Sequence, residues 1–331
     1  MDPLTQGLLG ASATQFSASA SRYKYLPVII GFAAGMAADI DIVIQSQQDP
    51  LLFLHYHRQF THSLIFIPIA ALIISVLLYP LIKKEIGFNS IFLFSLLGYG
   101  THGLLDACTS YGTQLLWPFT EDRIAWNLVS VIDPMVTIPM LILVITGLVK
   151  GKTIYGKAAL LYAVSYIAIG YLQNNRAESY VDDLVIERGH KANAILVKPT
   201  LGNNLLWRSV YEYQGRYYVD AVRVGLNKKH YEGTSVQVYE PVRQLTENQK
   251  ESQHHRDIYR YEKYSDGYLA INPESPDFLF DVRYSMLPNS TKPLWGIKVD
   301  WNLPDHHIAY LVNRKNDKQQ RSAFIRMLKG E

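Results

Sequence analysis

Between Leu64 and Ile82 the chain runs nineteen residues without a charge, and Ser75 is the only clearly polar side chain. As a helix this stretch reaches about 28 Å, close to the thickness of a bilayer core, so it is predicted to span a membrane. Ile91–Ala107, Met135–Val149, Tyr155–Leu172 and Leu26–Ile44 repeat the pattern over similar lengths. Leu4–Ser21 is also uncharged but is filled with Gly, Ala, Ser and Thr, which suits a helix packed closely against other membrane helices. From Asn174 the pattern changes. Asn174–His190 is charged and compatible with a linking helix, and short alternating runs rich in Tyr and Val follow it. Tyr211–Tyr213 and Arg216–Val224 flank Gln214-Gly215, a hairpin turn signal. Further strands are expected at Val236–Tyr239, Asp257–Tyr264, Tyr268–Ile271, Phe278–Tyr284 and Gly296–Trp301. The expected class is α+β. A membrane-embedded α-helical bundle of about five or six spans would occupy residues 1–173, and a mostly antiparallel β domain residues 174–331.

Charge sharpens this division. Of 32 Lys+Arg and 29 Asp+Glu, the first 173 residues hold nine of each, leaving 43 charges to the last 158. A net charge of +3 makes no basic field, which argues against a nucleic-acid partner. Cys108 is the only cysteine, so no disulfide framework exists within the chain. Asp2 sits where a cleavable signal peptide would carry its basic region. Short loops rich in Lys and Arg prefer the cytoplasm. Arg22 and Lys24, Lys83 and Lys84, and Lys150, Lys152 and Lys157 fall on one side of a six-span topology, whereas the alternate loops hold only Arg58 and Arg123. The loops Gln45–Ser63 and Cys108–Asn127, and with them the β domain, are therefore expected outside the cytoplasm.

That outer face collects the ionisable residues of the apolar half, and such residues are functional candidates by default. Asp39 and Asp41 lie near the end of the second span. The next loop supplies His55, His57, Arg58 and His62, and His102 and Asp106 stand four apart, on one face of the fourth helix. Asp133 opens the fifth span. Neutral imidazoles and carboxylates without thiolate suit Zn²⁺, with Mn²⁺ or Fe²⁺ as alternatives, and argue against a dedicated Ca²⁺ or Mg²⁺ site. His57, His62, His102, Asp106, Asp39 and Asp41 are the expected ligands. Arg58 is the expected holder of an anionic substrate oxygen and Asp133 the expected general base. His254-His255 and His306-His307, placed on strands with rings pointing apart, are read as surface residues.

Five short motifs then occur in a fixed order: Met1-Asp2-Pro3-Leu4-Thr5-Gln6-Gly7, Ala38-Asp39-Ile40-Asp41-Ile42, His57-Arg58-Gln59-Phe60-Thr61-His62-Ser63, His102 through Asp106 with Tyr111-Gly112, and Ile132-Asp133-Pro134. In them the chain resembles the YdjM-type membrane-bound metal-dependent hydrolases, described as inner-membrane-associated hydrolases and in some cases as LexA-binding. The resemblance implies a bacterial inner-membrane location and a distant kinship with zinc-dependent phospholipase C and related nucleases. It carries a ligand role to His102 and Asp106, and to His57, His62, Asp39 and Asp41. Where many relatives have His, this chain has Gln6.

The function expected from these residues is an integral membrane hydrolase that activates water on a divalent ion to cleave a phosphoester or related ester. A site at the bilayer surface favours an amphiphilic, lipid or lipid-linked substrate. The alternative is a non-enzymatic membrane protein, either a metal or solute carrier, for which polar residues would be needed along a path through the bilayer, or a membrane-anchored binding protein. No protein partner of the β domain is indicated.

Overall fold

The computed structural model describes residues 1–17, 25–240, 246–314 and 317–331. Arg22 and Lys24, with the end of the stretch expected to form the first span, lie outside the described residues. The class is α+β, with a helical amino-terminal region and two antiparallel sheets in the carboxy-terminal part. Two compact units are present. The first comprises Met1–Val43, Tyr56–Leu172 and Leu201–Asn204, and the second Ile44–His55, Gln173–Thr200 and Leu205–Glu331. The chain thus leaves the first unit between two of its polar motifs and contributes the short helix α3 (Leu52–Tyr56) largely to the second.

The first unit is built on α1 (Pro3–Ser17), α2 (Leu26–Met36) with its 3₁₀ continuation Ala37–Val43, α4 (Phe66–Ile82), α5 (Phe88–Ala107), α6 (Pro134–Lys150) and the first part of α7 (Ile154–Glu187). Small residues bring α1 against α2: a Cβ placed on Gly10 would stand 2.3 Å from the Gly31 carbonyl oxygen, so the two backbones touch. Helix α6 starts where Asp133 accepts the Met135 amide and Pro134 fills the first position, and it stops at Gly151 in the left-handed region. Leu26–Val43, Leu64–Ile82 and Ile154–Glu187 are long and apolar enough to cross a membrane, and Pro134–Lys150 is a shorter apolar helix of the same character. Side chains such as Leu77, Leu81, Leu161 and Val164 are exposed, as expected of a surface that faces lipid tails. Helix α5 is polar in its last turns, where it carries the candidate ligands.

Helix α7 differs from expectation. The last apolar stretch and the linking helix are one continuous element of 34 residues, because no Gly or Pro interrupts the chain between Leu172 and Glu187.

In the second unit β1 (Ile195–Pro199), β2 (Leu206–Tyr213), β3 (Arg216–Val224) and β4 (Lys228–Gln237) form one sheet in sequential order, every pair antiparallel. Gln214 and Gly215 both have positive φ, 52° and 71°, as a tight two-residue hairpin requires. After α8 (Glu247–Glu251) and α9 (Gln253–Tyr264), a second sequential antiparallel sheet contains β5 (Leu269–Asn272), β6 (Ser275–Asp281), β7 (Trp295–Lys298) and β8 (Ala309–Val312). Helix α10 (Lys318–Lys329) ends the chain. Trp207, Tyr211, Val222 and Val224 of the first sheet bury against Ala177, Val181 and Val185 of α7, while its Val210, Val219 and Val236 meet Ala270, Phe280 and Val282.

The strand expected at Asp257–Tyr264 is helix. Ser252 caps it by accepting the His255 amide, and His254, Asp257, Ile258 and Tyr261 are its buried residues, a helical spacing. His254 and His255 therefore sit on α9, not on a strand.

Candidate metal centre

Four segments of the first unit bring the polar motifs together: the 3₁₀ turn after α2, the turn Phe60–His62, the last turns of α5, and Arg58. The Nε2 atoms of His62 and His102 face each other at 3.0 Å. Asp106 Oδ2 lies 3.2 Å from His62 Nε2 and 3.7 Å from His102 Nε2, and Asp39 Oδ1 lies 3.5 Å from both. One ligand atom from each of these four residues falls within 4.8 Å of the others.

The opposite ring nitrogens decide what the facing ones offer. His102 Nδ1 is 2.5 Å from the Gly35 carbonyl oxygen, which can only accept, so Nδ1 carries the proton and a neutral ring leaves its lone pair on Nε2. His62 Nδ1 faces Thr61 Oγ1 at 2.9 Å and Asp41 Oδ2 at 3.3 Å, which places its proton there in the same way. Two lone pairs 3.0 Å apart in a buried site repel each other unless a proton or a metal ion lies between them. Among the described residues Gln6 Oε1 is buried with no hydrogen-bond partner, and Asp106 Oδ2 accepts no hydrogen bond although Arg58 Nε lies 3.1 Å away; a buried carboxylate oxygen without a hydrogen bond is costly. Its partner oxygen, Oδ1, accepts from Gln6 Nε2 at 2.8 Å and meets the Met1 amino group. Donor set, tautomers and the Asp106 oxygen that accepts no hydrogen bond all fit a divalent transition ion.

Asp41 is placed differently from the other carboxylates. Its Oδ2 accepts the Arg58 amide at 3.1 Å and the Thr61 hydroxyl at 2.6 Å, and its Oδ1 meets His57 Nδ1 at 2.8 Å. Arg58 adopts φ 63° and is buried, with Nε 3.1 Å from Asp106 Oδ2 and Nη1 donating to Thr109. Its guanidinium lies 4.9 Å from the Tyr111 ring centroid.

Asp133 is fully buried but has other neighbours: Oδ1 accepts from Met135 N and Oδ2 from the Tyr166 hydroxyl. His55 contacts the Tyr264 hydroxyl within the second unit. That unit holds a further group, Asp49, Asp257 and His307, which had not been singled out together. Arg260 already bridges its carboxylates, bonding Asp49 at 2.9 and 3.1 Å and Asp257 at 3.0 Å, so an ion pair explains it. Gly35, Thr61 and Gly103 contribute to the centre unannounced. A Cβ on Gly103 would stand 2.3 Å from the His62 carbonyl oxygen. Thr61, inside the His57–Ser63 motif, and Gly103, inside the His102–Asp106 motif, carried a sequence signal; Gly35 did not.

The profile of the YdjM inner membrane protein family matches residues 1–177, more than half of the chain. The chain belongs to this family. The match covers every residue of the centre, and the family's description agrees with the apolar helices in placing the chain in a membrane. It is 25% identical over 193 residues to a protein of Bacillus subtilis (strain 168) described as "Uncharacterized protein YfhP", a match covering 58% of this chain. The chain spans 57% of that relative's length. No solved structure matches.

Proposed function

We propose that this YdjM family member is an integral hydrolase of a bacterial inner membrane that holds a divalent ion with His62, His102, Asp106 and Asp39. Zinc is the first choice of ion, manganese or iron the next. The proposed substrate is a phosphoester or related ester of an amphiphilic molecule, such as a lipid or lipid-linked compound. The observation that carries the reading is the pair of imidazole Nε2 atoms, 3.0 Å apart, each with its other nitrogen tied to an acceptor.

When bound, the ion would supply Lewis acidity toward an ester oxygen and draw the pKa of a nearby water toward neutrality. The residues do the rest. The Gly35 carbonyl and Asp41 hold the two rings in their ligating tautomers. Arg58 is held by Thr109 and Tyr111 close to Asp106, where its planar guanidinium can receive an anionic ester oxygen. Asp39, whose side chain is 20% exposed, is the member of the set that reaches the outside, so the substrate enters from its side.

Metal analysis of the detergent-purified full-length chain beside His102→Ala tests the centre. The parent should carry a transition ion and the variant should lose it; equal contents would remove the assignment. A screen of phosphodiesters and lipid phosphates tests the chemistry. Metal-replete protein that hydrolyses none of them would put the carrier or binding-protein reading ahead.

A further inference from the structure

Beside the four-residue set lies a second convergence. His57 Nδ1 and Asp41 Oδ1 are 2.8 Å apart, and a carboxylate oxygen of Asp39 lies with them inside a 4.8 Å spread. The two sets share Asp39 and are contiguous, since the His57 and His62 rings are 5.9 Å apart and the His62 and His102 rings 4.6 Å. We propose that Asp39, Asp41 and His57 form a second divalent-ion position, with the Asp39 carboxylate bridging it to the first. The proposal rests on the reading that His62, His102 and Asp106 hold the first ion.

Each residue has an atom to spare for this. Asp39 needs only one oxygen for the first set, and a carboxylate can bridge two ions about 3.5–4 Å apart, the spacing of two-metal hydrolytic centres. Asp41 spends Oδ2 on Arg58, Thr61 and His62, while among the described residues Oδ1 meets only the His57 ring, whose proton an ion would displace. One imidazole and two carboxylates without thiolate suit Zn²⁺, Mn²⁺ or Fe²⁺.

Exposure separates the two positions. The side chains of His62, His102 and Asp106 are fully buried, whereas His57 is 18% and Asp39 20% exposed. The second ion would therefore sit at the mouth of the centre and exchange first.

The test is Mn²⁺ loading of the full-length chain in detergent, with bound metal counted and the electron paramagnetic resonance spectrum recorded. The parent should bind about two equivalents and show a spin-coupled pair, as ions sharing a carboxylate do. His57→Ala, altering a part-exposed ring, should retain the first ion with the spectrum of an isolated Mn²⁺. His102→Ala should disturb the first position. A parent with one uncoupled ion, unchanged in His57→Ala, overturns the second position and leaves the first standing. A parent that binds no ion overturns both. The parent titration needs no variant to fold. If His57→Ala keeps both ions, His57 is not a ligand and the proposal fails.

Discussion

Gly103→Ala is the smallest change that should disable the centre without touching a ligand. Position 103 follows His102 on α5 and faces the turn that carries His62, and an added Cβ would lie 2.3 Å from the His62 carbonyl oxygen. An ordinary C···O contact is about 3.3 Å, so one of the two backbones must move by roughly 1 Å. Helix α5 is held by its packing against α1, α2 and α4, while His62 lies in a single 3₁₀ turn, so the turn yields. Displacement of that size moves His62 Nε2 away from His102 and Asp106. Losing the support of a metal ligand typically costs 10- to 100-fold in affinity, about 1.4–2.8 kcal/mol. Competition with a metal-binding dye, run on the detergent-solubilised chain, measures this directly. Gly100→Ala is the control: its Cβ would meet Ile67 at 3.7 Å, an ordinary contact, one turn earlier on the same helix. Metal affinity in Gly103→Ala equal to that of Gly100→Ala would refute the argument. So would a fall in the ion-free melting temperature large enough to account for the loss by unfolding.

Lys198 is buried opposite Arg208 in the first sheet, and burial first, then Arg283 and Arg208, hold its amine well below the usual 10.5, although its Nζ lies 3.3 Å from the Tyr284 ring centroid. Between the lowered value and 10.5 the unfolded chain binds a proton that the folded chain does not. Stability should therefore climb with pH by up to about 1.4 kcal/mol per unit, and Lys198→Met should flatten that slope and be the more stable at neutral pH in urea unfolding of the full-length chain; an unchanged slope would show the amine charged in the fold. Asp133→Asn preserves a good helix cap, and because both carboxylate oxygens are already engaged by Met135 and Tyr166, metal content and turnover should persist; a fall in kcat of about 100-fold with metal retained would instead establish it as the base. Cysteines placed at exposed Gln47 and Asn227 should both react with an impermeant reagent in intact cells, since the Lys/Arg pattern puts both outside; buried Cys108 leaves the background silent. Protection of both would reverse the orientation.

The sequence made the apolar helices and the central hairpin legible because each carries a signal that neighbours cannot cancel: unbroken hydrophobicity in one case, a turn at Gln214-Gly215 in the other. Helix α9 was illegible for the opposite reason. In Asp257–Tyr264 the repeated tyrosines alternate with charged residues and imitate a strand, whereas the helix is set by a cap at Ser252 and by burial of Asp257, Ile258 and Tyr261. The short strands β1 and β8 were missed because four or five residues, three of the four exposed in β8, carry too little period to read. Helix α10 was missed because its run is mostly polar, with Met327 its one buried residue.

For the candidate centre, residue types and their clustering were visible, since His, Asp and Arg are costly in an apolar half and gather there near one end. Division of labour among them was not. Which nitrogen of His102 faces inward depends on a backbone carbonyl, that of Gly35, sixty-seven positions away. Nothing in the side-chain pattern encodes it. Asp39 and Asp41 are chemically identical and two residues apart, yet in the 3₁₀ turn one reaches both facing imidazoles while the other is taken up by Arg58, Thr61 and His57. The turn does not by itself explain why the pair belongs together. In an α-helix residues two apart point in directions about 200° apart, and in a 3₁₀ turn about 240°, so neither regular element alone would turn both carboxylates toward His62. They serve one centre because the loop after the turn brings His57 and His62 back on either side of Asp41, while Asp39 is the carboxylate shared by the two proposed ion positions.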